Sequence, residues 1–337
     1  MHEPKVERPL ISVIVPAYNA AATIERCLGA LMADADTEIL VVDDGSTDDT
    51  ARLAVRLGAR VLPSARNGGT AAARNHGVRH SSGTILMFVD ADVKIAAGTI
   101  SRFRRYFSEH PDCDAVIGSY DTAPAEPNIV SQYVNLMHHY YHQSSPQHPS
   151  HFWGGLGAVR RTAFEAIGGY DARILWIEDV ELGYRLRRAG HDLRIDKGLC
   201  GTHLKHFSLS LMIKTDFWLR AVPWTRFLVT HRVFPSDFAL SWTHRFSVML
   251  AWLAVSFVIL GLFLTPLLWA ALVCAVSFLA VNHDVIRFFQ RQRGTWFAAR
   301  IVPLHFLRAL ISGAAVMYCL GAAVLQAKSP GLAAKTD

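Results

Sequence analysis

The sequence lacks the phosphate cradle G-x-x-x-x-G-K-[ST] and has no G-x-G-x-x-G after its first strand-like segment, so any nucleotide must be held by other means. Cysteine is sparse. Cys27, Cys113, Cys200, Cys274 and Cys319 lie far apart, are odd in number and include no C-x-x-C, which signals neither a disulfide framework nor a zinc site. A reducing compartment is the simpler reading. Met1 to Leu10 carries charge but no apolar core, so no signal peptide is expected there. Charged residues make up 18% of the 337, below the usual figure of about a quarter, and hydrophobic residues make up 51%. That balance excludes a disordered or collagen-like chain.

Acid is scarcest near the end. Residues 202–337 hold 4 acids against 13 lysines and arginines, whereas residues 1–201 hold 24 acids against 21. The net charge of +6 is therefore the difference between a first part at −3 and a second at +9. An isoelectric point near 9.2 suggests nucleic acid at first sight. The basic residues, however, bracket apolar runs instead of forming a patch on a folded domain, so no nucleic-acid partner is expected.

Apolar runs at Leu10 to Val15, Glu38 to Val42, Ala59 to Leu62, Ile85 to Val89 and Asp114 to Ile117 read as buried strands. Helical stretches at Ala20 to Ala33, Asp48 to Leu57, Thr70 to His80 and Ala97 to Glu109 alternate with them. This is an α/β pattern of a sheet covered by helices, with ligands expected beyond the carboxyl ends of the strands. Residues 120–152, rich in Pro, His, Tyr and Gln, read as an irregular acceptor-side or lid segment. A helix from about Glu178 to Ala189 and a strand pair, Asp192 to Ile195 and Leu199 to Leu204, close a domain spanning 1–205.

From His206 the pattern changes. Residues 206–245 mix apolar residues with Lys205, Lys214, Arg220, Arg226 and Arg232 around them, as basic amphipathic helices in a membrane interface do. Residues 246–327 read as a transmembrane region, with a tail at 328–337. Its first 36 residues, 246–281, are uncharged and broken at Thr265-Pro266, which predicts a helical hairpin, fully spanning or re-entrant. A third helix is expected at about 303–325. Arg287, Arg291, Arg293, Arg300 and Arg308 precede the last apolar run and put that connection on the cytoplasmic side, with the first domain in the cytosol.

Unusual residues cluster just after the strands: Pro16-Ala17-Tyr18-Asn19, Asp43-Asp44-Gly45-Ser46, Asn67-Gly68-Gly69 leading to Arg74-Asn75, and Asp90-Ala91-Asp92. Singly they read as caps, turns or strand exits. Together they put several acids at one sheet edge, where a cation must offset their repulsion. Asp90 and Asp92 suit Mg2+ or Mn2+ that also binds phosphate oxygens, and Arg74 at a helix start adds positive charge. His203 is a candidate third ligand. His138, His139, His142, His148 and His151 include an i, i+4 pair if helical, so they are a second metal candidate beside a solvated loop.

Ser12 to Asn19, Val41 to Asp48, Gly69 to Asn75 and Asp90 to Asp92, in this order, resemble the successive motifs of family 2 glycosyltransferases with the GT-A fold, over roughly residues 9–205. The resemblance implies a Rossmann-like mixed sheet and an inverting transfer of sugar from a nucleotide diphosphate-sugar. It implies donor contacts from Pro16, Ala17, Tyr18, Asn19, Asp43 or Asp44, Gly69, Arg74 and Asp90, with Asp92 the principal metal carboxylate. Trp153-Gly154-Gly155-Leu156-Gly157 is similar to the family's acceptor loop. Glu178-Asp179 is similar to its E-D motif, which makes Asp179 the expected general base beside Glu178. Acids in a first helical turn also serve the helix dipole, which is the competing reading.

The resemblance has a gap. Polymer-making members carry Q/R-x-x-R-W, whereas here Arg220-Ala221-Val222-Pro223-Trp224 has proline at the second arginine. Proline offers no guanidinium, so Arg220 and Trp224 read as interfacial anchors, and transfer of a single sugar to a lipid or lipid-linked hydroxyl is expected. The alternatives are a polyprenyl-phosphate sugar transferase, a polysaccharide synthase component and a vestigial membrane scaffold. A phosphate acceptor needs no general base, which counts against the first.

Overall fold

The computed structural model describes residues 10–34, 37–233, 235 and 237–328, with the side chains of 239 and 326–328 left aside. Nearly all of the N-terminal segment Met1 to Leu10 and of the 328–337 tail lies outside the described residues. The chain forms two units, Met1–Pro127 with Asn135–His206, and Asn128–Val134 with Phe207–Asp337.

In the first unit, apolar runs become strands β1 (Ile11–Ala17), β2 (Glu38–Asp43), β3 (Arg60–Pro63), β4 (Ile85–Val89), β5 (Val93–Ile95), β6 (Ala115–Tyr120), β7 (Leu156–Arg160) and β8 (Leu193–His203). They form one sheet in the order β3-β2-β1-β4-β7-β6-β8-β5. β1 pairs in parallel with β2 and β4. β7 lies antiparallel between β4 and β6, which makes the sheet mixed. All five residues of β4 are buried, as an interior strand with both faces covered requires.

Helices α1 (Ile24–Leu31), α2 (Thr50–Arg56), α3 (Thr70–Arg79) and α4 (Thr99–Glu109) follow β1, β2, β3 and β5. α1 buries Ile24, Cys27, Leu28 and Leu31, the i, i+3, i+4, i+7 stripe of a helix on a sheet. Each buried Ile or Leu there contributes about 1.5–3 kcal/mol. α3 lies close over β1 because position 77 is glycine. A Cβ there would come within 2.5 Å of Ile14 Cγ2.

Two readings from the sequence need correction. Much of residues 120–152 is helix α5 (Ile129–Ser144), not an irregular lid. Its Tyr133, Met137 and Tyr141 are buried at i, i+4, i+8, an apolar stripe hidden among His, Gln and Tyr. The supposed strand pair at 192–204 is the single strand β8, which pairs with β6 across a register shift between Ile117 and Ser119. α6 (Arg161–Ala166) and α7 (Glu178–Arg188) complete this unit. α7 carries Glu178, Asp179 and Glu181 in its first turn and Arg185, Arg187 and Arg188 in its last, which complements its dipole.

The second unit begins with α8 (Leu209–Lys214), a π-helical stretch Thr215–Ala221 and α9 (Val222–His231). Arg220 pairs with the buried Asp216 at 3.1 Å, and Arg308 Nε lies 3.5 Å from the same carboxylate. Trp224 is half-buried on α9. α10 (Trp242–Gly261) and α11 (Leu267–Val281) form the expected hairpin. At its base Ser247 Oγ donates to Asn282 Oδ1 at 3.0 Å, and His305 Nε2 lies 2.9 Å from the same oxygen. At its tip Leu262, Phe263, Leu264 and Trp269 are exposed.

Among the described residues two helices are long and apolar enough to cross a membrane, α10 and the Thr295–Leu325 part of α13 (Thr295–Lys328). α11 has only 15 residues, about 22 Å at 1.5 Å per residue. It passes the same test only together with α12 (His283–Arg293), which bends away from it by 59°.

Candidate active site

The strand ends bring the motifs of the first unit together, and each has a local reason for its shape. Asn19 turns the chain after β1 at φ 50, its backbone N–H donating to Ser46 Oγ at 2.9 Å and its side chain accepting from Thr47 N at 2.8 Å. Asn tolerates this left-handed backbone better than most residues. Pro16 and Ala17 form the end of β1, and Tyr18 is half exposed beyond them.

Asp43 and Asp44 are both buried. Asp43 Oδ1 accepts from Ser46 N at 3.2 Å. Asp44 accepts from Gly68 N at 3.0 Å and Gly69 N at 2.8 Å, so its charge shapes the Gly68-Gly69 turn that leads into α3.

Arg74 does not face solvent. Its side chain is 2% exposed, with Nη1 donating to Glu178 Oε1 at 2.9 Å and Nη2 to Asp90 Oδ1 at 2.8 Å. Asp90 remains about one-third exposed. One residue on, Asp92 Oδ2 faces His203 Nε2 across 3.7 Å and Lys205 Nζ across 4.0 Å. Burial works against the Asp92 charge, but His203 and Lys205 outweigh it and hold the carboxyl below its usual range. The β5–β8 pairing, with Val93 opposite His203, is what brings this imidazole to Asp92. β5 is a three-residue strand that sequence reading passed over.

Asp92 and His203 fit a divalent ion as a partial shell. A carboxylate oxygen and an imidazole nitrogen facing each other are both donor types that a divalent ion accepts. Among the described residues no group of three or more His, Cys, Asp or Glu side chains is gathered for a metal. The remaining positions would fall to phosphate oxygens and water. His138 and His142 do lie one turn apart on α5, with ring centroids 6.4 Å apart. Burial pushes His142 down to about 3, so it is a neutral ring, packed 4.7 Å from Trp153.

Trp153 also packs edge-on against Tyr120, which stacks at 4.4 Å on His203. The loop Gly154-Gly155-Leu156-Gly157 is buried and runs into β7. Gly155 O accepts from Asp90 N at 3.2 Å. Gly154 N points at Asp179 Oδ2 at 3.4 Å, while Asp179 Oδ1 accepts from Val180 N at 2.8 Å. The Asp179 carboxyl is pushed up to about 7, first by its burial and then by the Glu178 charge, with Arg74 working the other way. α7 sits hard against this loop. A Cβ on Gly183 would lie 2.0 Å from Phe152 N.

Sequence reading passed over the role of Leu175 and Trp176. Trp176 precedes the E-D pair at φ 73 and is 58% exposed; Leu175 is 53% exposed. A bulky residue held in that backbone region is strained by about 1–3 kcal/mol, and such strain clusters at ligand-binding and active sites in general. The signal in the sequence is an aromatic residue two positions before the E-D pair.

The sheet and the site at its strand ends define a GT-A transferase fold. It is shared with the mannosyltransferase PcManGT from Pyrobaculum calidifontis, solved with GDP-Man and Mn2+, at a TM-score of 0.57 and 19% identity, over 91% of this chain and 88% of that one. Residues 12–168 match the family described as "Glycosyl transferase family 2", and the chain carries a domain of that family. Similar proteins include Glycosyltransferase AglE of Haloferax volcanii, 40% identical over 25% of this chain and 31% of that protein. A PGL/p-HBAD biosynthesis glycosyltransferase of Mycobacterium bovis is 35% identical over 33% of this chain and 46% of that protein. The chain thus spans less than half the length of these curated relatives.

Proposed function

We propose that this protein is an inverting, divalent-metal-dependent glycosyltransferase that moves one sugar from a nucleotide diphosphate-sugar to a hydroxyl of a lipid or lipid-linked acceptor. The observation that carries the reading is Asp179, a carboxyl with proton affinity near neutrality, held against the Gly154 loop. A hydroxyl is a poor nucleophile, and Asp179 takes its proton as the oxygen attacks the anomeric carbon. Asp92 and His203 would hold the ion. When bound, that ion offsets charge on the departing nucleoside diphosphate.

Pro16, Ala17, Tyr18, Asn19, Asp43, Asp44 and Gly69 form the nucleotide side of the proposed site, with Asp90 between the donor and Arg74. Trp153 to Gly157 and the exposed Leu175-Trp176 pair form the acceptor side. Donor and metal in the Pyrobaculum calidifontis mannosyltransferase structure support a nucleotide-sugar with a divalent ion, and the mycobacterial relative named for PGL/p-HBAD biosynthesis is compatible with a lipid-linked acceptor.

The second unit supports action at a membrane. In this reading α10 and α13 enter the bilayer, the hairpin tip Leu262 to Trp269 lies in it, and Arg220 and Trp224 sit near the interface. The basic α12 segment lies on the cytoplasmic side, and the catalytic unit with it.

The test is a screen of nucleotide-sugars with purified protein, Mn2+ and lipid extract, followed by the pH profile of the active pair. A base must be unprotonated to act, so transfer should be half-maximal near pH 7, approach its full rate about one unit above it and fall towards tenfold per unit below it, reflecting the Asp179 value of about 7. A flat profile from pH 5 to 8, or no transfer from any nucleotide-sugar, would count against the reading.

A further inference from the structure

Arg74 has the chemistry of a phosphate ligand, but its surroundings leave no face for one. Two carboxylates occupy the edge of its guanidinium, Glu178 at 2.9 Å and Asp90 at 2.8 Å. The Tyr170 ring centroid lies 5.2 Å from Cζ and that of Phe88 6.0 Å. A Cβ on Gly154 would meet Cζ at 2.6 Å, so the acceptor loop's backbone lies directly on the group. A diphosphate could reach Arg74 only by displacing one of these.

The elements it touches are far apart in the chain. Glu178 opens α7, Asp90 ends the β4 exit, and their sequence separations from Arg74 are 104 and 16 residues. The bond between the loop and the base, Gly154 N to Asp179 Oδ2, is long at 3.4 Å and cannot fix a carboxylate by itself. We propose that Arg74 is a positioning residue, a buried fork that ties the first turn of α7 to the β4 exit and thereby holds Asp179 at the acceptor loop. The role rests on the transferase reading above. A lysine would supply the charge but not the two fixed directions that meet both carboxylates.

The charged and titratable groups facing Asp179 are Glu178 beside it, Arg74 from α3, Asp90 from the β4 exit and the Tyr170 phenol from the loop before α7. Arg74 is the cation in that set. Its two contributions, charge and geometry, can therefore be separated by substitution.

The experiment uses the full chain as wild type and as Arg74→Lys, Arg74→Gln, Asp179→Asn and the double variant Arg74→Gln/Glu178→Gln. An infrared pH titration, each spectrum differenced against Asp179→Asn, isolates the Asp179 carboxyl without any substrate. Its midpoint should move up by about 1–3 pH units in Arg74→Gln and stay near the wild-type value in Arg74→Lys. Both variants should lose about 10²-fold in kcat with donor KM almost unchanged. If Arg74→Gln fails to fold, the double variant decides, because neither charge of the buried Arg74–Glu178 pair is left behind. It should fold and still show the kcat loss.

The proposal is overturned if either single variant raises donor KM while the titration stays in place, the result expected of a phosphate ligand, or if the double variant transfers at the wild-type rate. Absence of transfer in every variant, with the titration shift intact, removes the transferase reading and leaves the brace standing.

Discussion

Asp179→Asn should lower sugar transfer by about 10²- to 10⁴-fold, the usual worth of a positioned general base. The amide keeps an oxygen for the Val180 N–H and fits the space of the carboxylate beside Gly154. It cannot take up a proton at neutral pH. Donor affinity should therefore hold while kcat collapses, as measured by steady-state transfer beside equilibrium binding of the nucleotide-sugar. Because Glu178 already spends an oxygen on Arg74, it is not placed to replace the lost base. Near-normal turnover in Asp179→Asn would return the E-D pair to the role of a helix-dipole complement.

Asp92→Ala should produce the second large loss, about 10²- to 10³-fold in kcat, the scale of removing one preorganised electrostatic contact to a developing charge. The wild-type carboxyl lies below its usual range because His203 and Lys205 outweigh its burial, so it is ready for a cation at every pH where transfer is expected. His203→Ala should weaken the ion less than Asp92→Ala, since a carboxylate carries charge and a neutral imidazole does not. Mn2+ binding followed by electron paramagnetic resonance reads this without turnover. Equal Mn2+ affinity in wild type and Asp92→Ala would move the ion elsewhere.

Features carried by short stretches of sequence were the most legible. The β1, β2 and β4 strands are continuous apolar runs, and the polar residues that break them, Asn19, Asp43-Asp44 and Asp90-Ala91-Asp92, necessarily fall at one edge of the sheet. β5 was lost because three residues carry no period, yet it is the strand that sets Val93 against His203. α5 was lost because its polar face is histidine and glutamine, which resemble a loop by composition while Tyr133, Met137 and Tyr141 keep the helical spacing.

Arg74 shows a different kind of limit. Its type and its place at a helix start are those of a phosphate ligand, and only the fold reveals that Glu178, 104 residues away, already holds it. Burial and partnership of a charge are long-range properties, invisible to spacing. The same holds for Arg220, whose partner Asp216 lies one turn back and is itself shared with Arg308 from α13. The hairpin was legible because an uncharged run broken by Thr265-Pro266 has few other solutions, whereas the bend at Asn282 depends on hydrogen bonds to Ser247 and His305 from other helices.

The central claim is a single displacement in which Asp179 activates the acceptor and no covalent sugar–enzyme bond forms. The configuration of the product's anomeric carbon, read by proton NMR on the first turnovers before any mutarotation, tests it most directly. Inversion relative to the donor is the predicted result; retention would exclude a single in-line displacement and would contradict the account.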